Sequence, residues 1–106
     1  MAYRQLGDYE VLANLETPEF SLRVLKITKE SVIQPHHHHR TTQTYFVLEG
    51  TAKATVDDST TELTRYQVLR VPVDAVHSLR TDSQAVVLSI SVPPLEASDQ
   101  HVAAQR

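Results

Sequence analysis

Turn-forming clusters break this chain roughly every eight to twelve residues, the spacing of short strands in a sandwich or barrel. The intervals between them carry β-forming side chains, and the body shows no helix of convincing length. Phe20 to Thr28 (FSLRVLKIT) is rich in β-formers with imperfect alternation, the pattern of a strand covered on both faces. Thr44 to Leu48 is another, closed by Glu49-Gly50. Thr51 to Val56 alternates cleanly, with Ala52, Ala54 and Val56 on one face and Thr51, Lys53 and Thr55 on the other. Asp57-Asp58-Ser59 reads as a turn. Strands then follow at Thr60 to Thr64 and Gln67 to Val71, a turn at Pro72-Val73-Asp74, and strands at Val76 to Thr81 and Gln84 to Val92. Pro93-Pro94 stops the last one, because proline cannot donate to a ladder. The series predicts an all-β sandwich or barrel. Ala52 and Ala54 on an inner face fit either an enclosed space or bulky partners across the core.

Composition narrows the class. A chain of 106 residues and 11.9 kDa is expected to form one domain over 1–106, with its core at about 20–92. The polar tail from 95 to 106 is expected as a short helix or as disordered chain. A hydrophobic content of 41% with 22% charged residues is that of an ordinary globular protein. A net charge of -3 argues against nucleic acid as a partner, since no basic stripe exists to neutralise phosphates. No segment approaches the roughly 20 apolar residues of a membrane span. The start, Met1-Ala2-Tyr3-Arg4-Gln5, lacks an apolar signal region, so a cytoplasmic location is expected. Without cysteine, any metal must be held by nitrogen and oxygen.

Such ligands are conspicuous. His36, His37, His38 and His39 stand in a row inside the chain, where no fold requires them and a purification tag does not sit. His36 and His38 are two apart, so on an extended strand both imidazoles share one face. Gln43 begins the next apolar strand, and His77 follows the proline turn. These three imidazoles and one amide oxygen converge on a divalent metal if their strands are neighbours. Imidazole suits zinc, iron, manganese, nickel and copper. The competing reading is a pocket in which the same side chains only hydrogen-bond one another.

The spacing resembles that of the cupins, whose first motif is G-x5-H-x-H-x3,4-E-x6-G and whose second is G-x5-P-x-G-x2-H-x3-N. His36-x-His38, four residues, Gln43, six residues and Gly50 follow the first, with glutamine in place of the acid. Pro72-x-Asp74-x2-His77 follows the second. The likeness covers residues 20 to 92 and implies an antiparallel double-stranded β-helix, or jelly roll, with His36, His38, Gln43 and His77 as metal ligands. The alternative register, His37-x-His39 before Gln43, is also allowed by the motif. The family's first glycine falls at Glu30, its second-motif glycines at Tyr66 and Asp74, and its final asparagine at Thr81. Aspartate tolerates positive φ, so Asp74 suits a turn; Tyr66 suggests a different turn there.

The three-histidine, one-glutamine set is similar to that of small pectin-degradation cupins, which act on unsaturated uronic sugars. Gln34-x-His36, the run followed by Arg40, and Gly50-Thr51-Ala52 resemble phosphomannose-isomerase-like cupin domains of mannose-1-phosphate guanylyltransferases. Replacing the acid by Gln43 leaves a bound divalent ion with its full double charge, which favours Lewis acidity and an anionic substrate.

Strand parity supplies the pocket. If Gln43 points inward, so do Tyr45 and Val47, with Phe46 and Leu48 outward. Tyr45 is then the candidate catalytic acid. Arg23 and Ser89, with Ser91, are candidate pocket residues. His37 and His39 point away from the pocket, and His101 in the tail is expected to be solvated. Apolar outward residues need cover, which predicts a homodimer. The expected function is a metal-dependent isomerase or lyase acting on a small sugar or sugar-acid-like anion. A non-heme iron dioxygenase and a non-catalytic small-ligand binding or sensing domain are the alternatives.

Overall fold

A computed structural model describes residues 5–103 of the chain. Two five-stranded antiparallel sheets face each other. The first contains β1 (Glu10–Glu16), β2 (Ser21–Thr28), β4 (Thr42–Gly50), β7 (Val68–Val71) and β9 (Gln84–Val92), in the order β1-β2-β9-β4-β7. The second contains β3 (His36–His37), β5 (Ala52–Val56), β6 (Ser59–Leu63), β8 (His77–Arg80) and β10 (His101–Val102), in the order β10-β3-β8-β5-β6. Beyond β2 the chain passes back and forth between the sheets, interrupted by the β5–β6 hairpin. The strand spacing predicts an all-β sandwich or barrel, and this double winding is the jelly roll that the cupin resemblance implies.

Side-chain alternation sorts the interior into rows across the first sheet. Ser21, Ser91, Gln43 and Val71 are successive cross-strand partners, as are Arg23, Ser89, Tyr45 and Leu69. Leu25, Val87 and Val47 form the next inward row, and Ile27 pairs with Ala85 beyond it. One end of the barrel is therefore polar and the other apolar. Ile27, Val47, Ala52, Ala54 and Val87 are completely inaccessible and share one packed cluster with Leu63 and Leu79. Bulky neighbours, not open space, thus account for the two alanines. Burying side chains of this size contributes about 1.5–3 kcal/mol each for the branched residues.

Two features depart from expectation, one of them a turn. Tyr66 does take the left-handed conformation of the glycine it replaces, with φ 72°, as Asp74 does with φ 67°. That costs a tyrosine about 1–2 kcal/mol. Its ring stacks against Phe46 at 6.3 Å and lies under the Arg65 guanidinium at 4.9 Å, which offsets part of the cost.

The other departure is the tail. Its helix amounts to one 3-10 turn at Ala97–Asp99, and β10 then pairs with β3. Leu95, Asp99 and Gln100 are buried, so residues 95–103 are part of the barrel wall, and residues 104–106 lie outside the described residues. β1 was also absent from the sequence reading. It is largely exposed, bulged between Val11 and Ala13, and held by pairing with β2.

Gly50 closes β4 at φ 75°, where a Cβ would collide with the Gln84 carbonyl oxygen. Gly50→Ala should therefore destabilise the fold by at least about 1–2 kcal/mol, read as a lowered urea midpoint, while Glu49→Ala next to it should change little.

Candidate metal centre

The four-histidine run splits by parity. His36 and His38 are buried, His37 is half-buried and His39 is exposed. His77 is the direct cross-strand partner of His36, because β3 pairs with β8 at that residue. The three inward rings lie 5.0 Å (His36–His38), 4.3 Å (His36–His77) and 5.1 Å (His38–His77) apart, centroid to centroid. One ring nitrogen from each comes within 4.8 Å of the others. The structure thus brings together His36, His38 and His77, and leaves the His37/His39 register on the opposite face.

Each ring is oriented by its other nitrogen. Nδ1 of His36 lies 2.7 Å from the Gln34 carbonyl, Nδ1 of His38 lies 2.8 Å from the Asp99 carbonyl, and Nδ1 of His77 lies 2.9 Å from the Ala75 carbonyl. A carbonyl oxygen only accepts, so Nδ1 carries the proton in all three. Burial disfavours the charged rings, lowering the pKa of His77 to about 3, that of His36 to about 4, and that of His38 in the same direction. At neutral pH each Nε2 therefore bears a lone pair.

Gln43 joins them from β4. Its Nε2 donates to Ser91 Oγ at 3.0 Å, which turns Oε1 toward His77 Nε2 at 2.9 Å. Two acceptors face each other at that distance with no proton between them. Nε2 of His38 is buried and lacks a hydrogen-bond partner among the described residues. An uncompensated buried acceptor costs about 1–3 kcal/mol, and converging lone pairs repel. A divalent cation would satisfy all of them, so this donor set fits an imidazole-preferring metal.

Around the donors, Arg23, Tyr45 and Ser89 line a cavity of about 30 Å³ with His36 and Gln43. All three are buried and form a single cross-strand row, Arg23 to Ser89 to Tyr45. Tyr45 donates from its hydroxyl to Gln43 Oε1 at 3.3 Å, and burial pushes its pKa upward. Val47 lies one row deeper, in the apolar cluster, and does not line the cavity. Leu6, Leu95 and Gln100, from the two terminal segments, close it.

The residue that sequence reasoning missed is Asp99. Besides accepting from His38, it takes the His39 amide at Oδ1 (2.9 Å) and the Arg40 amide at Oδ2 (3.0 Å). Burial opposes its ionised form, but the two amides and the Arg40 guanidinium outweigh it and hold the carboxyl below its usual range. No local signal marks Asp99, since its importance comes entirely from β10 docking on β3. His101, expected in solvent, is likewise part of this docking and packs against both His37 and His39.

The buried rings also set a pH dependence. Unfolded histidines protonate near 6.5, whereas His36 and His77 resist protonation until about 4 and about 3. Between those values the unfolded chain binds more protons, so stability falls as pH falls. With metal chelated, the stabilisation should be complete above about 6.5 and lost progressively down to about 3. Urea midpoints across this window check it, and His77→Gln should flatten the slope.

Comparison with known proteins agrees with this architecture. The Thermus thermophilus protein TT1209 superposes with a TM-score of 0.75 at 18% identity, covering 82% of this chain and 85% of that one. A Klebsiella pneumoniae protein with a double-stranded β-helix domain gives 0.75 at 19%, covering 93% and 85%. KdgF from a Halomonas species gives 0.69 at 19%, covering 85% and 81%. No curated protein matches the sequence. Residues 23–92, about two thirds of the chain and including all four converging donors, match the sequence model of the cupin domain, and the chain belongs to that family.

Proposed function

We propose that this cupin is a metal-dependent isomerase or lyase acting on a small sugar-acid-like anion. The observation that carries the reading is that Arg23 and the His36/Gln43 donors share one cavity whose lining, among the described residues, includes no aspartate or glutamate. His36, His38, His77 and Gln43 are neutral and would leave a bound divalent ion with its full double charge. Zinc, iron, manganese and nickel all suit such ligands. Bound there, the ion supplies Lewis acidity toward a carbonyl or carboxylate oxygen.

The chain's own groups have distinct tasks. Arg23 would hold the carboxylate of the anion, a charge-assisted pairing strengthened by exclusion from water. Ser91 fixes the amide of Gln43, and thereby which of its atoms faces the donors. Tyr45 stays protonated because it is buried, so it can give a proton but not take one. A sugar acid exceeds a cavity of about 30 Å³, so Leu6, Leu95 and Gln100 must swing outward to admit it.

One observation favours a second reading. Apart from His36, a ligand in this scheme, the cavity lining among the described residues has no side chain able to act as a base at neutral pH. An iron dioxygenase needs none, and three neutral imidazoles suit Fe(II). A binding or sensing domain would need neither. Metal-loaded protein is therefore tested with small sugar acids under anaerobic conditions. Exchange of a substrate proton with solvent, abolished in His77→Ala and reduced at least tenfold in Arg23→Leu, is the expected result. Oxygen consumption dependent on added iron would support the dioxygenase instead, and thermal stabilisation by ligand without turnover the binding domain.

The outer face of the first sheet also bears on assembly. Ala13, Val24, Leu88, Phe46 and Val68 run as consecutive cross-strand partners, an apolar row spanning all five strands. Together with exposed Leu15 this row favours a homodimer packed sheet to sheet. Light scattering should give twice 11.9 kDa, and Phe46→Asp should give the monomer.

A further inference from the structure

We propose that the outward half of the histidine run forms a second divalent-metal site, made by His37 and His39 with His101 of β10. The arrangement repeats the inner triad on the other face of the same strand. There, an i, i+2 pair (His36 and His38) meets the cross-strand partner of its first member, His77. Here, the i, i+2 pair His37 and His39 meets the cross-strand partner of its first member, His101. The ring spacings fall in the same range, 5.0 Å for His37–His39, 5.2 Å for His37–His101 and 4.4 Å for His39–His101, against 5.0, 4.3 and 5.1 Å inside, although the ring nearest the partner is the second of the pair here and the first inside.

The nitrogens point to the same use. Nδ1 of His37 is buried and without a hydrogen-bond partner among the described residues. Nδ1 of His39 lies 2.7 Å from Asp74 Oδ1, and Nε2 of His101 lies 3.5 Å from Asp99 Oδ1. Each of those two rings keeps its other nitrogen for an ion, with a carboxylate behind it, the arrangement that raises ligand basicity in imidazole–metal sites. Unlike the inner nitrogens, these three do not converge as placed; His39 and His101 reach the surface, and an ion would require their rings to turn toward His37.

The two sites differ electrically. The inner donors are neutral, whereas Asp74 and Asp99 flank the outer one and offset a dication. The outer site is therefore suited to retaining an ion, with Cu²⁺, Ni²⁺ and Zn²⁺ favoured by three imidazoles. Such an ion would cross-link β10 to β3. It would thereby pin the segment that carries Leu95 and Gln100 over the inner cavity and Asp99 against His38.

The test is equilibrium dialysis of the full chain against Zn²⁺ with elemental analysis, repeated for His39→Gln, His101→Gln and His77→Ala. Wild type should retain two equivalents and each variant one. Amide exchange in residues 95–103 should slow on zinc binding in wild type and His77→Ala but not in His39→Gln or His101→Gln. Because His39 is an exposed side chain, His39→Gln against wild type decides the matter if either other variant fails to fold. One equivalent in wild type that is lost in His77→Ala and kept in His39→Gln, or two equivalents in His39→Gln, overturns the proposal. Retention of the second equivalent by His77→Ala separates this site from the inner one.

Discussion

The pairing of His36 with His77 across β3 and β8 is the constraint on which the site depends. It places one imidazole from the first motif directly beside the imidazole of the second, although they are far apart in the chain. Alternation along the strand then adds His38 to the same side. Three backbone carbonyls complete the arrangement by claiming every Nδ1. No side-chain choice remains for the rings: their lone pairs must converge. The chemistry of the centre is thus a consequence of backbone register, with the carbonyls of Gln34, Ala75 and Asp99 acting as fixed supports.

The interior extends that logic from one site to the whole barrel. Because β2, β4 and β9 pair in register, each inward row has a uniform character. Rows at one end carry serine, arginine, glutamine and tyrosine; rows at the other carry leucine, isoleucine, valine and alanine. The apolar end supplies the burial that holds the sheets together, and the polar end can then tolerate costly buried groups. Arg23, Tyr45 and Gln43 are affordable only in a structure already stabilised elsewhere.

Much of this was legible in the residues. The strands of the body, the parity of the histidine run and the inward set Gln43, Tyr45 and Val47 follow from a period of two, which is a local property. The same period placed His37 and His39 outside. What escaped was decided by pairing. β1 has adjacent apolar residues, Val11, Leu12 and Ala13, in place of a clean alternation and so does not read as a strand, and β10 is two residues long. Asp99 sits in a polar stretch without periodicity, yet it holds His38, His39 and Arg40 at once. Tyr66 adopts the conformation of a glycine, against its own preference, because the chain must turn between β6 and β7.

Alternation in the sequence by itself determined which side chains share a face, and so divided the four histidines into two pairs. It determined that any metal would be held by nitrogen and oxygen, since the chain has no cysteine. Which partners each pair would meet was decided only by the tertiary structure. His77 joins the inner pair and His101 the outer one through cross-strand registers that no local pattern encodes. The physical reason is that periodicity fixes direction relative to a strand's own backbone, whereas proximity across strands depends on packing of the whole barrel.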